Sequence, residues 1–339
     1  MPDTDARPDH RTDDWYRARL ALPQGRVRCV IDTDAANEID DQFALAWALR
    51  EPARLEVAAV YAAPFSFAHR RALLPQAPAD AAPFNPPAEG MARSHDEIIK
   101  VYELLGQPHA GRVFRGSAGY LPAPREPLRS EAVDHLIATA REHAPGGPPL
   151  YVVALGCVTN IASALLLAPD IVERIVVVWT SGYPSHAPHI NHSFNLEQDL
   201  WASQWLLDSG VPHVYLPGYH VGAQLRLSLA EIERYVKGHG AMGDYLHHLF
   251  THNPLWPLLG VDGATANAQP HSWVIWDVIN IAWLLNPHWV PSELVRTPAL
   301  GDDLRWQVRA GRHLMREAHG VQRDGIFAAF FASLPGSTP

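Results

Sequence analysis

The chain is poor in cysteine, in clustered basic residues and in long apolar runs. Its 339 residues include only two cysteines, Cys29 and Cys157, both inside apolar stretches typical of buried strands. Two such thiols argue against a disulfide framework and favour a reducing cytoplasm as the location. Acidic residues outnumber basic ones by 36 to 27 without any Lys/Arg run, which argues against a surface for nucleic acid or anionic membranes. No segment approaches the roughly 18 apolar residues of a membrane span.

The composition that is present indicates a globular protein with a substantial core. Hydrophobic residues make up 47% of the chain and charged residues 19%, which excludes the disordered and fibrous classes. Residues 1–25 are polar and charged and lack the apolar stretch of a signal peptide, so we expect a loosely held, flexible leader there. We expect residues 26–339 to form one domain.

Strand-like and helix-like segments alternate along the chain, which predicts a Rossmann-like, doubly wound α/β fold with a mostly parallel central sheet. Five apolar segments are predicted to be strands: Val27–Asp32, Leu55–Ala63, Pro149–Gly156, Arg174–Tyr183 and His213–Tyr219. The main predicted helices begin near Asp40 and cover His95–Leu105, Ser130–His143, Leu200–Leu207, 228–252, Ser272–Pro287 and about Gly325–Leu334. Residues 64–94 are rich in proline and lack a clear period, which predicts an insertion or a lid.

The turn after the first predicted strand is unusually acidic. Within "DTDAANEIDD", five carboxylates occupy ten positions: Asp32, Asp34, Glu38, Asp40 and Asp41. A helix N-terminus would explain one aspartate there as a cap. It does not explain the convergence of several, because close carboxylates repel one another unless a cation lies among them. Oxygen ligands of this kind favour Ca²⁺ or Mg²⁺ over zinc.

The segment "VIDTDAANEIDDQFALAWAL" resembles the N-terminal signature of the inosine-uridine nucleoside hydrolase family, D-x-D-P-G-x-D-D-A, with two extra residues in the turn. Three further segments resemble family elements in the same order: "VVALGCVTNIASALLLAPDIVERIVVVWTSGY", "SFNLEQDLWAS" and "WDVINIAWLLNP". The resemblance spans about residues 27–290. It implies the nucleoside hydrolase fold and cleavage of an N-glycosidic bond in a small-molecule riboside. Members of the family commonly form dimers or tetramers, so the resemblance also implies a possible homo-oligomer.

The resemblance also implies a division of roles. One Ca²⁺ would be held by Asp34, Asp41, the backbone carbonyl of Leu155 and Asp277. Asp34 would in addition be the general base that deprotonates the attacking water. Asp40 and Asn195 would bind the sugar, and Asp32 would orient the residues that contact the metal.

Trp276, immediately before Asp277, resembles the Trp-Asp pair of the purine-preferring members, in which the base stacks on indole. We therefore expect Trp276 to stack on the leaving base and purine ribosides to be preferred. His189, in the loop "SHAPHINHSFN", is a candidate for substrate binding, since an imidazole can donate a proton near neutral pH. Asn37 and Glu38 belong to the longer turn and are expected to contact substrate at the rim of the site.

Two departures from the family pattern stand out in this chain. The Pro-Gly of the signature is missing, and Ser193 stands where the family has a glutamate. Arg70 with Arg71 could meet a 5′-phosphate, and two alternative functions remain open. A D-x-D phosphatase would need a downstream lysine, but Lys100 is the one lysine between residues 95 and 235 and fits no such motif. A non-catalytic nucleoside- or sugar-binding relative that keeps the metal is the other alternative.

Overall fold

The computed structural model describes residues 11–78, 81–259 and 271–335. Its helices, in chain order, are α1 (Asp13–Arg19), α2 (Asp40–Arg50), α3 (Pro87–Leu104), α4 (Glu131–Arg141), α5 (Thr159–Leu167), α6 (Phe194–Glu197), α7 (Leu200–Asp208), α8 (Leu229–Tyr235), α9 (Gly240–Thr251), α10 (Val278–Leu285) and α11 (Arg323–Ser333). Its strands are β1 (Val27–Thr33), β2 (Leu55–Ala62), β3 (Val113–Arg115), β4 (Leu150–Ala154), β5 (Ile175–Ser181), β6 (His213–Pro217), β7 (Arg226–Ser228), β8 (Ser272–Val274), β9 (Ser292–Arg296), β10 (Ala299–Leu300), β11 (Trp306–Gln307) and β12 (Leu314–Ala318).

Eight strands form one central sheet in the order β3-β2-β1-β4-β5-β6-β12-β9. Every neighbouring pair is parallel except β12 with β9, which is antiparallel. The chain winds outward from β1 in one direction and from β4 in the other. The β1–β4 boundary is therefore the topological switch point, where ligands of open α/β sheets bind beyond the carboxyl ends of the strands.

The central strands are apolar on both sides because helices cover both faces of the sheet. In β1, Cys29 and Ile31 belong to one buried cluster, whereas Val30, pointing to the other face, belongs to a second. This alternation follows from the two-residue period of a strand. The five predicted strands and the doubly wound fold are confirmed. None of the helices in the described ranges has the length and apolar character needed to span a lipid bilayer.

Three local expectations differ from the structure. The expected leader contains α1, and Tyr16 and Leu20 are fully buried in the core; the apolar residues hidden in this polar stretch pack against the domain. Residues 1–10 of that leader lie outside the described part of the chain. The expected irregular segment 64–94 contains short 3₁₀-helices at Ala68–Leu73 and Ala82–Phe84, and α3 begins inside it at Pro87, because proline is accommodated in the first turn of a helix.

The expected helix over Ser272–Pro287 is two elements. Its first residues form β8, which pairs antiparallel with β7, and only Val278–Leu285 is helical. Unbroken apolar sequence does not distinguish a short buried strand from a helix. Trp273 therefore lies on a strand and not on a helix.

Candidate active site

A cavity of about 230 Å³ opens at the carboxyl ends of the central strands, beside the switch point. The loops after β1, β4, β5 and β6 contribute to it, together with the starts of α2, α6 and α10. The lining residues are Asp34, Asn37, Glu38, Asp40, Asp41, Arg70, Leu155, Thr180, Ser181, Gly182, Ser193, Phe194, Asn195, Gly218, Tyr219, Trp276 and Asp277. The fold thus brings together nearly all the residues that the sequence analysis selected, from segments almost 250 positions apart.

Three aspartates form the tightest acidic group in this cavity. One carboxylate oxygen from each of Asp40, Asp41 and Asp277 lies within 4.8 Å of the others, and all three residues are buried. Capping does not account for them. The N-cap of α2 is Ile39, and Asp277, the N-cap of α10, makes no side-chain capping hydrogen bond. The carboxylates face one another and the cavity instead.

Burial and mutual repulsion make these carboxyls hard to ionise. Desolvation, and then the charge of neighbouring carboxylates, raises the pKa of Asp34, Asp40 and Asp277 well above the usual range. Desolvation raises the pKa of Asp41 to about 6, although the hydrogen bond that the Thr33 hydroxyl donates to Asp41 Oδ1 works in the opposite direction. A positive charge placed among these groups would relieve both causes.

Asp34 lies directly after β1, at the edge of the acidic group. Its Oδ2 accepts a hydrogen bond from Asn37 Nδ2 at 3.1 Å. On its other side the chain approaches very closely at Gly156, where a Cβ atom would lie only 2.6 Å from Asp34 Oδ1. Glycine at position 156 therefore leaves the room that the Asp34 carboxylate occupies, and Asp34 is held between two neighbouring loops.

The carbonyl of Leu155 lines the cavity at the end of β4. It accepts a hydrogen bond from Asn195 Nδ2 at 2.5 Å, and the same amide group donates to the Thr180 carbonyl at 3.2 Å. The Asn195 side-chain N–H groups therefore donate to backbone carbonyls at the carboxyl ends of β4 and β5. Its Oδ1 is the atom left to accept a hydrogen bond from a ligand, and the second lone pair of the Leu155 carbonyl stays free for another partner.

The donor set fits a hard divalent cation. Carboxylate oxygens dominate the floor of the cavity, the Leu155 carbonyl lies beside them, and these are the ligand types of Ca²⁺. Asn37 Oδ1 is a buried oxygen that accepts no hydrogen bond from any residue in the described ranges. Buried acceptors without donors are costly, and a cation would satisfy them. The geometry groups Asp40 with Asp41 and Asp277 more closely than it does Asp34.

Asp32 points away from this floor. It is fully buried, its Oδ1 accepts a hydrogen bond from Asn160 Nδ2 on α5 at 2.8 Å, and burial raises its pKa to about 7. It is not among the residues that line the cavity. The contact of Asp32 is with α5, so it braces β1 against that helix behind the acidic group.

The proline-rich segment contributes Arg70 to the lining of the cavity. The Arg70 guanidinium donates to Glu197 and, at 3.0 Å, to the carbonyl of His192. His69 and His192 each approach a Glu197 oxygen at 3.0 Å. Burial opposes ionisation of Glu197, but the hydrogen bonds from His69 and Arg70 outweigh it and lower the pKa of Glu197 to about 2. Arg71 lies outside the cavity.

Aromatic rings form another part of the cavity wall. Trp276 and Tyr219 both line the cavity and meet edge to face, with ring centroids 6.0 Å apart. Tyr183 lies behind Tyr219 at 4.5 Å, and the ring of His189 lies 4.6 Å from Tyr183. His189 was expected to bind substrate, but it is exposed and outside the cavity lining, because it belongs to the outer side of this aromatic stack.

Sequence reasoning missed several lining residues, among them Phe194, Gly218 and Tyr219. The last two belong to the loop after β6, and the rule that ligands bind at the carboxyl ends of parallel strands could have indicated them. It also missed Trp273, whose indole N–H donates to Glu38 Oε1 at 2.7 Å. No local pattern signalled that contact, since 235 residues separate the two side chains.

Known proteins share the fold and part of the sequence of this chain. An uncharacterized protein of Schizosaccharomyces pombe is 34% identical over 139 residues, covering 39% of this chain and 44% of that protein, so the match spans less than half of the relative. A plant nucleoside hydrolase shares the fold with a TM-score of 0.65 at 16% identity, over 92% of this chain and 99% of that one. A purine-preferring ribonucleoside hydrolase from Gardnerella vaginalis has a TM-score of 0.65 at 19% identity, over 90% and 97% of the two chains.

The family model described as inosine-uridine preferring nucleoside hydrolase matches residues 29–323. That range contains every residue of the cavity. The chain therefore belongs to the inosine-uridine preferring nucleoside hydrolase family.

Proposed function

We propose that this protein hydrolyses the N-glycosidic bond of a ribonucleoside, or of a modified ribosyl compound, in a Ca²⁺-dependent reaction that releases the base and ribose. The observation that supports the proposal most is the cavity itself, which has a carboxylate floor and an aromatic wall. An ionised carboxylate accepts hydrogen bonds and cannot donate them, so the floor suits a cation and a ligand rich in hydroxyl groups. The wall of Trp276 and Tyr219 suits a planar heterocycle.

The proposed mechanism assigns the floor to sugar and water. Asp41 and Asp277, with Asp34 and the Leu155 carbonyl, would hold the cation, and Asp40 would accept a hydrogen bond from a ribose hydroxyl. The chemistry that a bound Ca²⁺ would supply is polarisation of water. Asp34 would take a proton from a water molecule, whose oxygen would bond to the anomeric carbon as the bond to the base nitrogen breaks. The base would leave with the bonding electrons and take a proton from solvent.

The carboxylate floor also stabilises the transition state. Cleavage of a glycosidic bond places positive charge on the sugar ring, as an oxocarbenium ion. Fixed negative charges in a buried site stabilise such developing charge without the reorganisation that water needs. The phosphatase alternative lacks comparable support, because Arg70 is the one cationic side chain in the described lining of the cavity, and it is already paired with Glu197.

The direct test is release of reducing sugar from a panel of ribosides, measured on metal-free protein with and without added Ca²⁺. We expect turnover only with the cation. Asp34→Asn should lower kcat by about 10²- to 10⁴-fold, whereas Asp134→Asn, at an exposed ion pair with Arg129, should not. Full activity of Asp34→Asn would remove Asp34 as the base. Riboside binding without turnover by the wild type would favour the non-catalytic alternative.

We further propose that purine ribosides are preferred. The larger a planar base is, the more area it can bury on the Trp276 ring and against the edge of Tyr219. We expect kcat/KM for inosine and adenosine to exceed that for uridine and cytidine. Trp276→Leu should reduce kcat/KM for inosine by a larger factor than it reduces kcat/KM for uridine. Faster turnover of uridine than of inosine by the wild type would contradict the preference.

A further inference from the structure

Glu38 lies in the turn between Asp34 and Asp40, which is two residues longer than in the family signature, and its side chain is held by a hydrogen bond from another segment of the chain. Its carboxylate lines the cavity, and its Oε1 accepts a hydrogen bond from Trp273 Nε1 at 2.7 Å. The long turn therefore delivers an additional carboxylate into the cavity, and a second segment of the chain fixes where that carboxylate stands.

The support behind Trp273 is rigid. Trp273 lies in β8, where it pairs with Leu227 of β7 in an antiparallel ladder. Its ring also packs against a small apolar cluster that includes Phe67 and Leu258. A side chain held by a strand and by apolar packing has few alternative rotamers. It can therefore hold its hydrogen-bond partner within about 0.5 Å of one position, as recognition of a single group requires.

The free oxygen of Glu38 is available to a ligand. Among residues 11–78, 81–259 and 271–335, the hydrogen bond found for the Glu38 carboxylate is the one to Oε1, and Glu38 lines the cavity. Glu38 is also outside the close group of Asp40, Asp41 and Asp277. An ionised carboxylate accepts hydrogen bonds and cannot donate them, so the complementary ligand group at this position is a hydrogen-bond donor. The donors on the sugar of a riboside are its hydroxyl groups.

We infer that Glu38 is a specificity-determining residue, which binds one hydroxyl of the sugar that the aspartate group does not hold, and that Trp273 is the residue that positions it. The inference rests on the proposed function for the identity of the ligand as a riboside. It gives the longer turn a chemical purpose, which is to supply an acceptor for a polyhydroxylated ligand in addition to the carboxylate floor.

The experiment combines protein variants with substrates that each lack one hydroxyl. Glu38→Gln, Trp273→Phe and the control Trp201→Phe, at a partly exposed position on α7, are assayed with the best riboside and its 2′-, 3′- and 5′-deoxy analogues. Gln keeps the shape, but when its oxygen accepts from Trp273 its NH₂ group takes the place of Oε2. That group can only donate, so the charged acceptor for a sugar hydroxyl is lost. Calorimetric titration of the same compounds gives binding constants independently of turnover.

We expect Glu38→Gln to lower kcat/KM for the complete riboside by about 10- to 100-fold, since a hydrogen bond to a charged group is lost. For one deoxy analogue, the wild type and Glu38→Gln should have equal kcat/KM, because that analogue lacks the hydroxyl concerned. Trp273→Phe should show the same pattern with a smaller loss, and Trp201→Phe no loss.

An equal loss with all three analogues would overturn the inference, because it would mean that Glu38 acts on the fold or on the overall charge of the site. The calorimetric arm separates this result from failure of the proposed function. A wild type that binds ribosides without hydrolysing them fails the proposed function, while the analogue pattern in the binding constants still decides the role of Glu38. A wild type that neither binds nor hydrolyses any riboside overturns both.

Discussion

The stability of the metal-free protein should fall as the pH rises from 5 to 8, and Ca²⁺ should remove most of that fall. Burial raises the pKa of Asp41 from 3.8 to about 6 and that of Glu38 from 4.5 to about 7. A carboxyl whose pKa is higher in the folded state binds protons more tightly there than in the unfolded chain. Its contribution to stability is complete below the unfolded pKa and is lost as the pH rises through the folded one.

The magnitude follows from the two shifts. Between pH 5 and pH 8 the proton linkage of Asp41 and Glu38 together amounts to about 4 kcal/mol of unfolding free energy. The raised pKa values of Asp34, Asp40 and Asp277 act in the same direction. A cation replaces the bound protons, so its stabilising effect should be larger at pH 8 than at pH 5. At a free concentration of 100 times Kd it adds about 2.7 kcal/mol.

The assay is urea unfolding of protein freed of metal by chelation and desalting, at pH 5 and pH 8, with and without CaCl₂. Asp277→Asn removes one carboxylate of the close group, so its metal-free form should lose less stability at pH 8 and gain less from Ca²⁺. Asp170→Asn is the matched control, since Asp170 forms an exposed ion pair with Arg141. Rising stability of the metal-free protein from pH 5 to pH 8, or equal Ca²⁺ effects in Asp277→Asn and the wild type, would refute the reasoning.

Two substitutions test the packing around the acidic turn. Gly156→Ala places a Cβ atom 2.6 Å from Asp34 Oδ1 and should lower kcat in the riboside assay about 100-fold by displacing that carboxylate. The control Gly119→Ala, with open space around its Cβ position, should keep full activity. Full activity of Gly156→Ala would show that catalysis does not depend on the observed position of Asp34. Asn160→Ala removes the donor to buried Asp32 and should lower the unfolding free energy by about 3 kcal/mol, measured by urea unfolding at pH 8; a change below about 1 kcal/mol would mean that Asp32 is solvated or protonated.

The sequence by itself determined the parts of the protein whose signals are local. Apolar segments of six to ten residues predicted β1, β2, β4, β5 and β6, because strands buried on both faces must be largely apolar. The acidic turn identified the floor of the cavity for a comparable reason. So many carboxylates beside a buried strand need a common partner, and that need can be read from residue types alone.

Tertiary structure decided what long-range packing controls. It placed the Asp277 carboxylate beside those of Asp40 and Asp41, turned Asp32 toward α5, and left His189 on the outer side of the aromatic wall. These outcomes depend on which face of an element packs against which neighbour. Residue types and spacing constrain that choice only weakly, since the free energy that decides it comes from contacts between segments far apart in the chain.

The pairing of Glu38 with Trp273 shows the same limit most clearly. The sequence marked Glu38 as part of an unusual turn, but its neighbours did not indicate what holds it. The apolar run that contains Trp273 was predicted to be helical, and only the pairing of β8 with β7 gives its indole the direction that reaches Glu38. A three-residue strand has no period of its own to read, so its position is set by the partner strand and by the core beneath it.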